Sequence, residues 1–240
     1  MAAYGNSPIQ KFALIVAGGT GTRMGAGMPK QMLPLKERAV LAHTLDRFLA
    51  FDPEIQIVSV LHSSLADSWS AFLDWHFGAD ESPRLHICLG GAERSESVHN
   101  GLKHIQDMVG DGRALVAIHD AVRPFVNARI LSEGFALAEE QGNAVAAVPV
   151  KSSMRMKTDH GSIAVQRDLF YHVQTPQVFF LDQILTCYND RGNANFTDDA
   201  SLAEAHGMNI QMYLGSYDNL KITTPEDLLL AERLLESGNW

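Results

Sequence analysis

The stretch Ala17-Gly18-Gly19-Thr20-Gly21-Thr22-Arg23-Met24-Gly25, followed closely by Pro29-Lys30-Gln31, concentrates the residues suited to phosphate chemistry. Glycines reach positive φ at little cost and let backbone N–H groups approach phosphate oxygens without a Cβ in the way. Arg23 and Lys30 add fixed positive charge beside such a nest. Two commoner glycine motifs do not fit. A dinucleotide fingerprint beginning at Gly19 and Gly21 needs a third glycine where Met24 stands. The second strand also ends in His62-Ser63-Ser64, without the acid that would hold a ribose. A P-loop needs Gly-Lys-Ser/Thr, whereas Lys30 lies between Pro29 and Gln31.

Other constellations read as structural first. His119 and Asp120 are adjacent on a strand and so point to opposite faces, which disfavours a metal pair. Asp198 and Asp199 could hold a metal, but a carboxylate after Thr197 also caps a helix. The remaining histidines show no ligand spacing. There is no G-x-S-x-G elbow and no Cys–His signature, so no side-chain nucleophile stands out. Cys88 and Cys187 read as packing residues, and Trp69 and Trp75 as packing on one amphipathic helix.

The elements that must position these groups alternate. Runs at 11–17, 56–62, 85–89, 114–119 and 144–150 have the continuous apolar character of strands buried on both faces. Segments 40–51, 65–76, 97–108 and 128–141 carry Leu, Ala and Phe at helical spacing. This alternation predicts an α/β fold: a Rossmann-like, mostly parallel sheet flanked by helices. Ligands in such sheets sit beyond the carboxyl ends of the strands, which directs attention to the loops after Ala17, Leu89, His119 and Val150. Residues 151–167 are polar, contain Asp159-His160-Gly161, and are expected to form a protruding hairpin arm within 150–168. Met154 and Met156 there alternate in β fashion and are expected to face a partner subunit. Helices at 181–189 and 197–206, a strand near 210–214 and a helix at 225–236 complete the chain. Thr224-Pro225-Glu226 is the start signal of the last one. No composition shift marks a linker, so 1–240 reads as one domain.

Composition sets the boundaries. With 19 Lys+Arg against 28 Asp+Glu the formal charge is −9, which argues against a nucleic-acid or anionic-membrane partner. An anionic ligand must then be met by a few locally placed cations. Two cysteines exclude a disulfide framework or a four-cysteine metal site. One bridge is possible, but a reduced cytoplasmic setting fits better. The first eight residues do not read as a secretory signal, and no eighteen apolar residues run together.

The pattern A-G-G-x-G-x-R-M-G-x3-P-K-Q resembles the signature of sugar-nucleotide pyrophosphorylases and cytidylyltransferases. Further segments match in order: Gly90-Gly91-Ala92-Glu93-Arg94-Ser95-Glu96-Ser97-Val98, His119-Asp120-Ala121-Val122-Arg123-Pro124 and Gln174-Thr175-Pro176-Gln177. Thr197-Asp198-Asp199-Ala200-Ser201 and Asp218-Asn219-Leu220-Lys221-Ile222-Thr223 follow. Together they resemble the 2-C-methyl-D-erythritol 4-phosphate cytidylyltransferase family of the non-mevalonate isoprenoid pathway, over roughly residues 11–235.

The resemblance implies a nucleotide-diphospho-sugar transferase type of fold, a homodimer joined through the arm, and CTP and a polyol phosphate as substrates. It implies that Ala17, Gly18, Gly19 and Gly21 lie against the nucleotide. Arg23, Lys30 and Lys221 would meet the reacting phosphates. Gly91 and Ser97 would serve the cytosine, and Asp120 and Ala121 would border the ribose and acceptor. Thr175 and Thr197 would contact the acceptor, joined by Ser153 and Arg167 from a partner's arm. Mg²⁺ or another divalent cation is implied on the CTP phosphates, with Asp120 as the nearest protein carboxylate. Two departures bear on the acceptor. Val16-Ala17-Gly18-Gly19 replaces a common Pro-Ala-Ala-Gly, and Ala92 stands where some members carry an acid. The first is shared with a branch that uses ribitol 5-phosphate, so that acceptor is the alternative. The segments 174–179 and 196–201 favour the methylerythritol phosphate.

Overall fold

A computed structural model of the chain describes residues 8–17, 28–77, 82–192 and 196–238. Gly18, Gly19, Gly21 and Arg23 lie outside these residues. The elements begin with β1 (Gln10–Ala17), β2 (Pro34–Leu35), β3 (Arg38–Ala39), α1 (Val40–Phe51), β4 (Gln56–Leu61), α2 (Ser63–Ala66) and α3 (Trp69–His76). The middle holds β5 (Leu85–Leu89), α4 (Arg94–Val109), β6 (Ala114–Asp120), α5 (Ala128–Gln141), β7 (Asn143–Pro149), β8 (Arg155–Thr158) and β9 (Gly161–Ala164). The last part holds β10 (Tyr171–Phe180), α6 (Leu181–Asn189), α7 (Asp199–Ala205), β11 (Met212–Leu214) and α8 (Pro225–Ser237).

Seven strands form one sheet in the order β11-β7-β10-β6-β1-β4-β5. Every adjacent pair is parallel except those made by β10, which runs antiparallel to both β6 and β7. Side-chain alternation along β1 shows why the apolar runs are continuous. Ala13, Ile15 and Ala17 face the cluster containing Leu41, Leu45 and Phe48 of α1 and Ile130 and Phe135 of α5. Phe12 and Leu14 face the opposite cluster, with Val98, Leu102 and Ile105 of α4 and Ile184 of α6. A strand covered on both faces has no polar face to show.

Several boundaries differ from expectation. The 85–89 run is an edge strand, paired only with β4 in the sheet, with Leu85 buried but Leu89 53% exposed. The 65–76 segment is two helices, α2 and α3. His62 caps the first by accepting from the Ser64 N–H through Nδ1 at 3.2 Å. Trp69 is buried and Trp75 is 80% exposed, since six residues turn a helix by about 240°. Strand β10 was not foreseen as an element. Its run Gln174-Thr175-Pro176-Gln177 is unlike strand composition, and the pairing register with β7 shifts between Val173 and Gln177, where Pro176 has no N–H to give. Residues 155–164 form the expected hairpin, with β8 and β9 pairing with each other across Asp159-His160 and no other strand of the described residues beside them. Thr224 caps α8 as expected, in a capping box with Asp227. Among the described residues no helix is long and apolar enough to cross a membrane.

Gly101 lets α4 lie against the sheet. A Cβ there would stand 2.3 Å from Leu14 Cδ1 and 2.8 Å from Val60 Cγ2. Gly101→Ala should destabilise the protein by about 1–3 kcal/mol despite alanine's better helix propensity. Urea unfolding of the two proteins checks this, and equal stability would mean the contact relaxes freely.

Candidate active site

A cavity of about 400 Å³ opens where β1, β4 and β6 end, lined among others by Ala17, Lys30, Gly91, Ser97, Ala121 and Lys221. Asp120 and His62 line it too, so six separate sequence segments converge there. Gln31, completely buried beside Lys30, donates Nε2–H to the Ala17 carbonyl at 2.6 Å and ties the 28–32 segment to the end of β1.

The 90–97 loop is built by its own side chains. The Gly90 N–H donates to Leu61 O at 2.8 Å, continuing the β4–β5 pairing. Ser97 Oγ accepts from the Gly91 N–H at 3.1 Å and donates to Glu93 O at 3.0 Å. Glu96 accepts from the Ala92 N–H at 2.8 Å. A Cβ on Gly91 would lie 2.4 Å from Glu96 Cβ, so only glycine fits. Ser97 therefore shapes the loop, a task in addition to the cytosine contact that the resemblance implies.

Asp120 ends β6 and gathers three cations. Its Oδ2 lies 3.0 Å from Lys221 Nζ and 3.2 Å from Arg123 Nε, while Oδ1 is 4.0 Å from Arg94 Nε. Burial by itself would raise the carboxyl pKa. Lys221, Arg123 and Arg94 outweigh it and hold Asp120 well below the usual carboxylate range. The Asp120 N–H donates to Thr175 Oγ1 at 3.0 Å, which joins β6 to β10 at the cavity. His119 points the other way, as alternation requires. It is completely buried, edge-on to Phe48, and donates Nε2–H to Arg123 O at 3.1 Å. Burial pushes its pKa down to about 4, so it is a neutral packing group.

Arg94 is itself held from behind. Its Nη1 and Nη2 donate to Asp199 Oδ1 and Oδ2 at 3.0 and 2.8 Å, a planar two-point pair. Asp199 has no exposed surface and also accepts from Tyr188 OH at 2.5 Å. Burial lowers the Arg94 pKa, but the Asp199 charge outweighs that and the net shift is upward. Tyr188 is pushed up by burial and by the same anion. The acidic pair thus divides its roles: Asp199 is the buried counter-ion, and Asp198 caps α7 by accepting from the Ser201 N–H at 2.9 Å.

A second cavity of about 270 Å³ adjoins the first and is lined by Thr175, Thr197, Asp198, Arg123, Gln174 and Gln177. It shares Arg94, Asp120 and Lys221 with the first. Thr175 and Thr197, both chosen from sequence, are brought together here. Ser153 and Arg167 line neither cavity. Both are exposed, and Arg167 donates to Lys151 O at 2.8 Å. Arg94 and Arg123 were missed as site residues although both lie inside quoted motifs. A signal existed for Arg94: a cation in the first turn of a helix opposes the helix dipole and asks for an anionic partner.

A mostly parallel α/β sheet with two adjoining cavities at its carboxyl ends, and cations converging where they meet, suits a nucleotidyltransferase. Residues 12–237 match the family described as IspD, 2-C-methyl-D-erythritol 4-phosphate cytidylyltransferase, and the chain belongs to that family. It is 39% identical over 228 residues to a protein of that name from Bacteroides thetaiotaomicron, covering 95% of this chain and all of the relative. A namesake from Azobacteroides pseudotrichonymphae is 38% identical over 229 residues, with 95% and 99% covered. Among solved structures, the 4-diphosphocytidyl-2C-methyl-D-erythritol synthase of Anaerococcus prevotii superposes with a TM-score of 0.80 at 26% identity, covering 95% of this chain and 96% of the other. The Thermus thermophilus 2-C-methyl-D-erythritol 4-phosphate cytidylyltransferase gives 0.73 at 28%, covering 95% and 100%.

Because the native pKa of Asp120 is depressed, its contribution to stability is full above the unfolded value near ~4 and is lost as pH falls through the native value. The stability gap between wild type and Asp120→Asn in urea should therefore stay constant above about pH 5 and narrow as pH falls below about 4. A gap unchanged on further acidification would show that the three cations do not act on this carboxylate.

Proposed function

We propose that the chain transfers a cytidylyl group from CTP to 2-C-methyl-D-erythritol 4-phosphate and releases pyrophosphate. One observation carries the reading: the two cavities meet at Asp120 and Lys221, the relation needed between a nucleoside triphosphate and a phosphorylated acceptor. Ala17 and the 91–97 loop border the first cavity, where we place the nucleotide. By the same reading Gly18, Gly19, Gly21 and Arg23 also serve the nucleotide.

An acceptor phosphate oxygen attacks the α-phosphorus. The new P–O bond forms as the bond to the bridging oxygen breaks, and that electron pair leaves with pyrophosphate. No enzyme nucleophile is needed, so positioning and charge neutralisation dominate. Lys30 stands in the first cavity and Lys221 at the junction. An ammonium carries three donors, so Lys221 can keep its bond to Asp120 and still offer N–H groups to a phosphate. Arg94 differs, since its two-point face is already taken by the completely buried Asp199, whose charge offsets its own. Its role is to fix the nucleotide loop and Asp120 relative to α7.

A divalent cation, magnesium first, is implied by the triphosphate. Asp120 Oδ2 is taken by Lys221 and Arg123, and the described residues contain no group of three or more His, Cys, Asp or Glu side chains arranged to hold a metal. The donors present fit an ion carried mainly by phosphate oxygens and water, with Asp120 able to supply one oxygen. Such an ion, when bound, supplies charge neutralisation on the phosphates.

A second copy of the chain is the partner we propose, joined through the β8–β9 hairpin as an arm within 150–168 of a single domain. Met156, Ile163, Leu169, Phe170, Tyr171 and Val173 are large apolar side chains left exposed along this region, which supports a covered face in a dimer. Ser153 and Arg167 would then serve the partner's acceptor cavity. Cys88 and Cys187 are both free thiols, which suits the reduced cytoplasmic setting we propose.

Pyrophosphate release with CTP and a panel of polyol phosphates tests the function. We expect the highest kcat/KM with the methylerythritol phosphate, and a clear preference for ribitol 5-phosphate would overturn the acceptor assignment. Lys30→Ala should lower kcat by about two to three orders of magnitude, as for loss of one preorganised charge donor. A near-normal rate would remove Lys30 from the catalytic set.

A further inference from the structure

In the wall of the second cavity, which Gln174 lines, two carboxamides bind each other and the chain that leads to Lys221. Gln174 donates Nε2–H to Ser216 O at 2.8 Å and, more weakly, to Asn219 O at 3.5 Å. Its Oε1 accepts from the Ser216 N–H and from Asn219 Nδ2, both at 3.3 Å. Asn219 Nδ2 also donates to Thr175 O at 2.9 Å, and the Asn219 carbonyl accepts from Arg123 Nη1 at 2.8 Å. Asn219 has no exposed surface and lines neither cavity. The segment is pressed onto the Gln174 amide: a Cβ on Gly215 would lie 2.3 Å from Gln174 Oε1. On the far side of Lys221, the Ile222 N–H donates to Val122 O at 2.9 Å.

Lys221 is thus delivered to Asp120 by a segment held on both sides, at 215–219 by the amide pair and at Ile222 by the chain leaving β6. The same Asn219 carbonyl fixes Arg123, the second cation on Asp120 Oδ2. Gln174 donates and accepts at one planar end, which only a carboxamide can do, whereas Asn219 uses Nδ2 as a donor and its buried Oδ1 meets no partner among the described residues. A carboxylate would lose the donor, and a hydrocarbon would strand buried carbonyl groups without partners.

We infer that Gln174 and Asn219 are positioning residues whose amide pair sets Lys221 and Arg123 against Asp120, and that they act on the transfer reaction through Lys221. The inference rests on the phosphate-facing role proposed for Lys221. It predicts non-additivity. Gln174→Met keeps the size of the side chain and removes its bonds. It should reduce kcat/KM for the acceptor about tenfold in the wild-type background, and by less than about twofold when Lys221 is already alanine. The KM for CTP should stay close to that of wild type. Equal losses in both backgrounds, no loss in wild type, or a Lys221→Ala protein with near-wild-type kcat/KM would each overturn the inference. If Gln174→Met does not fold, Gln174→Glu, which keeps the accepting oxygen, runs the same cycle.

A second readout does not depend on activity. Amide hydrogen exchange across 216–222 should speed up in Gln174→Met relative to the rest of the chain, and unchanged exchange would mean the pair holds nothing. A wild-type protein that moves no cytidylyl group sinks the functional reading, while the exchange result still decides whether the amide pair holds the segment.

Discussion

The site depends on keeping one buried carboxylate ionised. Asp120 sits at the end of a strand covered on both faces, where burial alone favours the neutral acid. Three cations from three places reverse that preference: Arg94 from the start of α4, Arg123 from the turn after β6, and Lys221 from the segment before α8. Each is in turn fixed by something else. Asp199 and Tyr188 hold Arg94, the Asn219 carbonyl holds Arg123, and the Gln174–Asn219 pair holds the chain bearing Lys221. A buried ion cluster of this kind adds little to stability compared with a hydrophobic core, but removing one member leaves an uncompensated charge. Its effect is to bring segments distant in sequence to one geometry.

That geometry also resolves the acidic composition. A chain of charge −9 can serve anionic substrates because its site cations are gathered at one end of the sheet. The reversed strand β10 matters here. Running against β6, it places Thr175 beside Asp120 and Gln174 beside the 215–219 segment, so the second cavity opens next to the first. A parallel strand in that position would have brought its carboxyl end, not Gln174 and Thr175, to the site.

Much of this was legible before any fold was known. The five apolar runs, the helices between them and the hairpin at 155–164 follow from periodicity and turn residues, because local patterning and burial agree there. The motif segments pointed to Lys30, Gly91, Ser97, Asp120, Ala121, Thr175, Thr197 and Lys221, all of which line the two cavities. Other features were hidden. Strand β10 reads locally as Gln-Thr-Pro-Gln and is made a strand only by its neighbours. Asp199 and Tyr188 look like a helix cap and a helix surface until their partners are known.

What the sequence determined by itself was the class of element at each position and the identity of the reactive groups, since both depend on residues close along the chain. The tertiary structure decided which charges are spent internally and which face a ligand. Arg94 and Lys221 are both basic residues inside motifs and both line the two cavities, yet one gives its guanidinium fork to a completely buried aspartate 105 positions away while the other pairs with the cavity-lining Asp120. The difference is one of contact and desolvation between distant segments, and no local pattern records which anion a cation will meet when the sheet closes.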